Sequence, residues 1–185
     1  YKGQFGFSVP FFALVFSFFV VGFGFFIFSF YTKQKILTNS RNFLQSLFSG
    51  VLFHGVYLGG FFYSVSIGMP TSIAALIVTL QPILTNALAG KFLDEKVTFK
   101  QWIGVILGFI GAALVLGFDI GSSLPVFGVI ASFIALLAIT TSTLWQKKIS
   151  NDLPLSVSNM YQAIGGCFFH IIIIFIFTEP YINFT

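Results

Sequence analysis

Charged side chains are scarce in this sequence. Lys, Arg, Asp and Glu together make up 8% of its 185 residues, whereas an average soluble domain has about 25%. The 49 residues between Arg41 and Lys91 carry no formal charge at all. Such a composition excludes an ordinary soluble domain and indicates an integral membrane protein.

Cysteine and acidic residues are scarce as well. The single cysteine, Cys167, cannot form an internal disulfide. The carboxylates fall in predicted loops or at span ends, at Asp94, Glu95, Asp119, Asp152 and Glu179. No His-x-x-x-His or Glu-x-x-His pattern occurs. A catalytic metal needs a third ligand and a nearby base, so the sequence predicts no metal site and no cofactor.

Apolar residues form six stretches, each long enough to cross about 30 Å of hydrocarbon as a helix. We place these spans at residues 8–30, 44–66, 71–90, 101–118, 125–146 and 155–177. The second and third are separated by Gly68-Met69-Pro70, in which Gly and Pro favour a tight turn. The predicted fold class is therefore an all-α integral membrane protein with six transmembrane helices.

Basic residues indicate the orientation of these spans. If the spans alternate in direction, only Lys2 of the nine basic residues lies on one side of the membrane. The others are Lys33, Lys35, Arg41, Lys91, Lys96, Lys100, Lys147 and Lys148. The positive-inside rule then predicts that loops 31–43, 91–100 and 147–154 are cytoplasmic. The net charge of +4 thus reflects topology, and we expect the lipid bilayer, and no nucleic acid, as a partner.

The third span is two-sided on a helical wheel of about 100° per residue. Its large aliphatic half contains Ile73, Leu76, Ile77, Leu80, Ile83, Leu84 and Leu88. The opposite half contains Ser72, Ala74, Ala75, Val78, Thr79, Gln81, Pro82, Thr85, Asn86 and Ala89. An unpaired amide in lipid costs several kcal/mol, so we expect the polar half to line a cavity and Pro82 to bend the helix.

Four more spans carry patterns of small or polar residues. One face of the fifth span carries a strip of small residues: Gly128, Ala131, Ala135, Ala138 and Ser142. In the fourth span, Gly104, Gly108 and Gly111 are spaced for close helix packing. Together with the third span, the second and sixth spans predict a substrate cavity formed by His54, Tyr57, Phe61, Thr79, Gln81, Asn86, Asn159 and His170. For His54 and His170, a structural role held by one interhelical hydrogen bond is the alternative.

Several short motifs follow one another along residues 44–117. They are His54-Gly55-Val56-Tyr57-Leu58-Gly59-Gly60, Gly68-Met69-Pro70, Ala74-Ala75-Leu76, Gln81-Pro82, Asp94-Glu95-Lys96, Gln101-Trp102-Ile103-Gly104 and Gly111. In this order they resemble the EamA family of the drug/metabolite transporter superfamily. Trp145-Gln146-Lys147-Lys148 is similar to the end of the first helix of a second EamA unit.

The resemblance implies ten helices in two inverted five-helix repeats around a central site, with both termini in the cytoplasm. The six spans would be helices two to seven. Residues 1–118 would then form the first repeat without its first helix, and residues 119–185 the start of the second. No span contains the buried carboxylate that the related small multidrug exporters use for proton exchange, so the coupling ion stays open.

These observations lead to a functional hypothesis and two rivals. The hypothesis is a secondary transporter of the bacterial inner membrane that moves a small organic metabolite by alternating access. It is expected to have no catalytic residues, and a homodimer is a candidate assembly. The rivals are an inert or structural membrane subunit and an intramembrane enzyme that uses His54 and His170.

Overall fold

The computed structural model describes residues 2–93, 97–116, 124–149 and 153–177, with backbone only at 2–11, 112, 115, 116 and 177. Its α-helices are α1 (Lys2–Tyr31), α2 (Ser40–Gly50), α3 (Leu58–Ser66), α4 (Thr71–Val78), α5 (Gln81–Phe92), α6 (Phe99–Leu116), α7 (Val126–Ile149) and α8 (Leu155–Phe177). A π-helical segment, Val51–Tyr57, joins α2 to α3. No strand occurs in these described ranges.

Five helical stretches are long and apolar enough to cross a membrane. They are Phe12–Tyr31, Ser40–Ser66, Thr71–Phe92, Val126–Ile149 and Leu155–Ile176. Each coincides with a predicted span, so the all-α membrane fold is confirmed. Within the described residues, the predicted span 101–118 coincides with α6, Phe99–Leu116.

The chain divides into two compact units. The first contains the described residues of 1–55 and 152–185, and the second contains those of 56–151. The predicted boundary between two repeats, at residues 118–119, lies outside the described residues, as does the Asp94-Glu95-Lys96 motif.

In the first unit, α1 and α2 both pack against α8. Glycines set the spacing between α2 and α8. A Cβ atom at Gly50 would overlap the backbone of Gln162, and a Cβ atom at Gly165 would overlap the carbonyl oxygen of Leu47. Lipid tails are as apolar as the helix surfaces, so the hydrophobic effect does not drive helices together inside a membrane. Van der Waals packing at such close backbone contacts is therefore a main driving force for helix association.

Serine hydroxyls bridge the same helices. The Oγ atoms of Ser46 and Ser158 lie 3.4 Å apart, and Ser29 Oγ donates to Ser156 Oγ at 3.0 Å. All of these serines are buried. Polar groups of α8 thus find partners on both neighbouring helices.

Helix α8 confirms the two-sided pattern of the predicted sixth span. Its inward face is buried at Ser156, Ala163, Gly166 and His170, and Asn159 on that face is half-buried. The opposite face is exposed at Ile164, Phe168, Ile171, Ile172 and Phe175. Large apolar side chains therefore point outward, as is expected for a helix that faces lipid on one side.

In the second unit, α3, α4 and α5 pack against α7. The contact surface of α7 is the predicted small strip, and all of its members are buried: Gly128, Ala131, Ala135, Ala138 and Ser142. A Cβ atom at Gly60 of α3 would lie 3.5 Å from the Ala135 Cβ atom. Beside it, Ser64 Oγ and Ser132 Oγ are 2.8 Å apart. The fifth span thus forms the centre of this unit.

The predicted third span is interrupted between α4 and α5. At the interruption, Thr79 and Leu80 form a turn in which the Leu80 N–H donates to the Ile77 carbonyl at 3.1 Å. Pro82 stands at the start of α5. It has no N–H for the carbonyl four residues earlier, which explains the predicted bend at this place. Leu76, from the large aliphatic half of the predicted span, is only 9% exposed, because α4 packs on both α6 and α7.

Glycine packing in the first unit leads to a stability prediction. Gly50→Ala should destabilise the protein by about 1–3 kcal/mol, because the new methyl group meets backbone that cannot move aside. Thermal unfolding in detergent micelles measures the effect. Gly24→Ala in α1 is the matched control, since a Cβ atom there meets nothing within 4 Å in the described structure. Equal unfolding temperatures for the two variants would contradict the close contact.

Candidate functional site

An open cavity of about 710 Å³ lies at the surface of the unit formed by residues 56–151, where Pro82, Gln101, Gly104 and Gly108 on its wall are exposed. Five lining residues come from the interrupted third span: Val78, Thr79, Gln81, Pro82 and Asn86. Another five come from α6: Gln101, Gly104, Val105, Gly108 and Phe109. Tyr57 and Ile139 complete the wall. This volume falls in the range of about 300–1,000 Å³ that is typical of small-molecule sites.

The third span contributes only residues from its predicted small and polar half. No member of the aliphatic half lines the cavity. Of the predicted cavity residues, the structure brings together Tyr57, Thr79, Gln81 and Asn86 on this one wall. Tyr57 reaches it from the last position of the π-helical segment.

The Gln81 amide is held by two threonines. Its Nε2 donates to Thr143 Oγ1 at 3.3 Å and to Thr85 Oγ1 at 3.4 Å. These bonds lie at the long end of the usual range. Thr143 belongs to α7 and Thr85 to α5, so Gln81 connects two helices while its side chain borders the cavity.

Asn86 has a different environment. It lies one helical turn further along α5 and is half-buried on the cavity wall. In the described part of the unit, its amide makes no hydrogen bond. Its donors and acceptor are therefore available to a ligand.

Helix α6 forms the facing wall, which the sequence analysis assigned to helix packing. No heavy atom of this unit's described part lies within 4 Å of a Cβ atom built at Gly104, Gly108 or Gly111. Gly104 and Gly108 border the cavity instead. The absent side chains leave open space there, so close packing through this stripe stays a prediction.

Gln101 is a cavity residue that the sequence analysis missed. Its Oε1 accepts from the Thr98 N–H at 2.7 Å, and its own N–H donates to Thr98 Oγ1 at 3.4 Å. This reciprocal pair is a capping box at the start of α6. The Thr-x-x-Gln spacing before an apolar run could have identified it, and Gln101, Gly104 and Gly108 then share one helix face.

The remaining predicted cavity residues lie elsewhere. Phe61 is on α3, where its ring contacts Phe62 edge to face with centroids 5.9 Å apart. His54, Asn159 and His170 belong to the other unit. The sequence predicts one common cavity for all eight residues, but only four of them lie on the wall around Gln81.

His54 and His170 contact each other in the first unit. His170 Nε2 lies 2.8 Å from the backbone carbonyl oxygen of His54, which is in the π-helical segment. A carbonyl can only accept, so Nε2 carries the proton and donates. Phe18 lies against both rings, with centroids 4.5 Å from His54 and 5.8 Å from His170. The contact matches the structural alternative considered for these two histidines.

The cavity wall offers hydrogen bonds and aromatic surface, without a formal charge among its residues. The described residues also contain no group of three or more His, Cys, Asp or Glu side chains placed to hold a metal ion. The arrangement can bind and orient a polar organic molecule. Its residues do not pair a nucleophile with a base.

Comparisons with known proteins agree with this picture. Residues 4–117 match the EamA-like transporter family. The chain is 32% identical over 110 residues to the S-adenosylmethionine uptake transporter of Rickettsia felis (strain ATCC VR-1525 / URRWXCal2), covering 60% of this chain and 35% of that protein. It is 27% identical over 178 residues to an uncharacterized transporter of Buchnera aphidicola subsp. Schizaphis graminum (strain Sg), covering 95% and 59%.

A third relative is the uncharacterized transporter YvbV of Bacillus subtilis (strain 168), 25% identical over 131 residues that cover 66% of this chain and 41% of the relative. The chain therefore spans between about a third and three fifths of the length of these relatives. No solved structure matches it. The family match covers more than half of the sequence, and the chain belongs to the EamA-like transporter family.

Proposed function

We propose that the protein acts in secondary transport and carries a small organic metabolite across the bacterial inner membrane by alternating access. The cavity of the 56–151 unit is its binding site in this proposal. The most direct support for this proposal is the polarity of the cavity wall, since Thr79, Gln81 and Asn86 are polar residues within a membrane span. Polar groups in spans are costly, and they commonly mark the path of a substrate or ion.

The interrupted helix supports the same function. Transporters often build their binding sites from discontinuous helices, because unwound backbone supplies polar groups to the substrate. Here the interruption at Thr79 and Leu80 borders the cavity directly. Such breaks are tolerated in a membrane only where protein or a water-filled cavity surrounds them.

The relatives suggest where to begin the search for a substrate. One of them is the S-adenosylmethionine uptake transporter of Rickettsia felis. We therefore place S-adenosylmethionine first in a panel of small organic metabolites. The aromatic rings of Tyr57 and Phe109 on the wall would suit a ligand that contains a planar ring.

Exposed basic residues support the proposed orientation. Lys33, Lys35, Arg41, Lys91, Lys100, Lys147 and Lys148 are all exposed at helix ends or in connections. Loops 31–43, 91–100 and 147–154 would then face the cytoplasm. Lysine and arginine near span ends are the usual determinants of such topology.

The rival hypothesis of an intramembrane enzyme has less support. The two histidines contact each other through a backbone carbonyl and lie among phenylalanine rings. An inert structural subunit, the other rival, would have no use for a cavity with an oriented amide such as Gln81. Both rivals make predictions that differ from those of a transporter.

The first test fills the cavity. Gly108→Leu should lower substrate uptake by about tenfold or more, because the new side chain occupies space that a ligand needs. Uptake is measured with the full-length protein in proteoliposomes, using radiolabelled S-adenosylmethionine, amino acids, diamines, nucleosides and organic acids. Gly111→Leu is the control, with the same change on the same helix but outside the wall. Equal losses in both variants, or no uptake of any compound by the unmodified protein, would contradict the proposal.

The second test concerns the histidine contact. His170→Phe should lower the free energy of unfolding by about 1 kcal/mol, because it removes the donor to the His54 carbonyl. His170→Gln should lower the free energy of unfolding by a smaller amount, since the glutamine amide nitrogen can donate to the same carbonyl from a similar position. Thermal unfolding and uptake are measured together. An enzyme or ion site at these residues would instead lose its activity in both variants while stability stayed unchanged.

A further inference from the structure

The hydrogen bonds at the helix interruption determine which polar groups face a ligand there. Thr79 Oγ1 donates its proton to the Leu76 carbonyl at 2.7 Å. A hydroxyl has one proton to give and keeps two lone pairs as acceptors. Toward the cavity, Thr79 can therefore offer only an acceptor.

The hydrogen bonds of Thr143 fix the orientation of the Gln81 amide. Thr143 Oγ1 donates its proton to the Ile139 carbonyl at 2.8 Å, so this oxygen can only accept from Gln81. The Gln81 atom at 3.3 Å must then be the amide nitrogen and not the carbonyl oxygen. With both N–H bonds of the amide directed at Thr143 and Thr85, its Oε1 remains free to accept from a ligand.

A backbone carbonyl completes the set. Pro82 has no N–H, so the Val78 carbonyl lacks the donor that a continuous helix would supply four residues later. Val78 ends α4 and borders the cavity. The interruption therefore has three acceptors beside the cavity, with no formally charged side chain on the wall.

We propose that the acceptors of Val78, Thr79 and Gln81 bind the primary ammonium group of the transported metabolite. The inference rests on the proposed function and deepens it, since it names the charged end of the substrate. A primary ammonium has three N–H donors and no acceptor, which matches the three acceptors. The carbonyl oxygen of Val78 would stabilise its positive charge, as unwound backbone carbonyls do for cations in other transporters. Thr143 is a positioning residue, because it acts on the ligand only through the Gln81 amide.

Matched pairs of compounds test the inference. Uptake into proteoliposomes that contain the full-length protein is measured for radiolabelled methionine, threonine and phenylalanine, each beside its N-acetylated form, and for cadaverine beside its N,N'-diacetylated form. Acetylation keeps the size of the molecule similar but removes the ammonium charge and two donors. We expect the amines to be transported at least about tenfold better than their acetylated forms.

Variants of Gln81 should change this ratio in opposite directions. Gln81→Leu removes the acceptor and should lower the preference for amines by about tenfold. Gln81→Glu adds a carboxylate and should raise the preference, because a charged acceptor binds an ammonium more strongly. A change in folding would alter uptake of both compounds alike, whereas loss of an acceptor changes their ratio.

Thr143 provides a second, independent readout. Thr143→Val removes the oxygen that orients Gln81 and should reduce the amine preference by about threefold to tenfold. Thr143→Ser should restore it. Thr141→Val is the control, since Thr141 is exposed on the same helix and lies outside the wall.

Four results would overturn the inference. Equal uptake of amines and acetylated amines would do so, as would an unchanged ratio in Gln81→Leu. The third is transport of nucleosides or organic acids alone, which would refute the ammonium site but leave the proposed transport function intact. A last experiment repeats the uptake measurements with choline in place of sodium. If the Gln81 variants change only the sodium dependence of neutral substrates, the acceptors hold a sodium ion and the ammonium assignment is wrong.

Discussion

Hydrocarbon offers a backbone amide no hydrogen-bond partner, so each N–H and C=O in a membrane span must be satisfied within the protein or by a cavity. This constraint explains why the two irregular places in the described spans carry polar side chains beside them. At the π-helical segment, His170 donates to the carbonyl of His54. At the interruption of the third span, Thr79 donates to the Leu76 carbonyl and the cavity adjoins the turn. Departures from the regular helix thus coincide with the candidate functional groups, because both need a polar environment.

The same constraint decides which parts of the site could be predicted from the sequence. A regular helix turns by about 100° at each residue, so Val78 and Asn86 fall on one half of a wheel although the helix is interrupted between them. In the second span, the π-helical segment changes the residues per turn. A uniform wheel is then only approximate beyond this segment: Gly60 and Ser64 still face α7, whereas Phe61, predicted beside Tyr57, lies off the cavity wall. Nothing in the composition of Val51–Tyr57 marks it as a π-helix.

Other parts of the site are ambiguous in the sequence for different reasons. Glycine leaves the same empty space whether a helix or a ligand fills it, so the stripe with Gly104 and Gly108 predicts packing and a cavity equally well. Gln101 was overlooked because it precedes the apolar run, although the capping box with Thr98 fixes its place on α6. The all-α membrane fold could be predicted with ease, since span length and the absence of charge report it directly. Side-chain hydrogen bonds between helices depend on helix positions that no local pattern contains.

A wall without formal charge suits a carrier that must bind and release its ligand in each cycle. A buried carboxylate would be costly while the site is empty and would hold a cation tightly when it is full. Hydrogen bonds between neutral acceptors and a charged ligand contribute about 1.5–3 kcal/mol each, so a few of them would give binding that can form and break repeatedly. Orientation then decides selectivity. Because Thr143 already holds the amide of Gln81, binding of a ligand freezes little additional motion, and the direction of each hydrogen bond distinguishes donors from acceptors without any net charge.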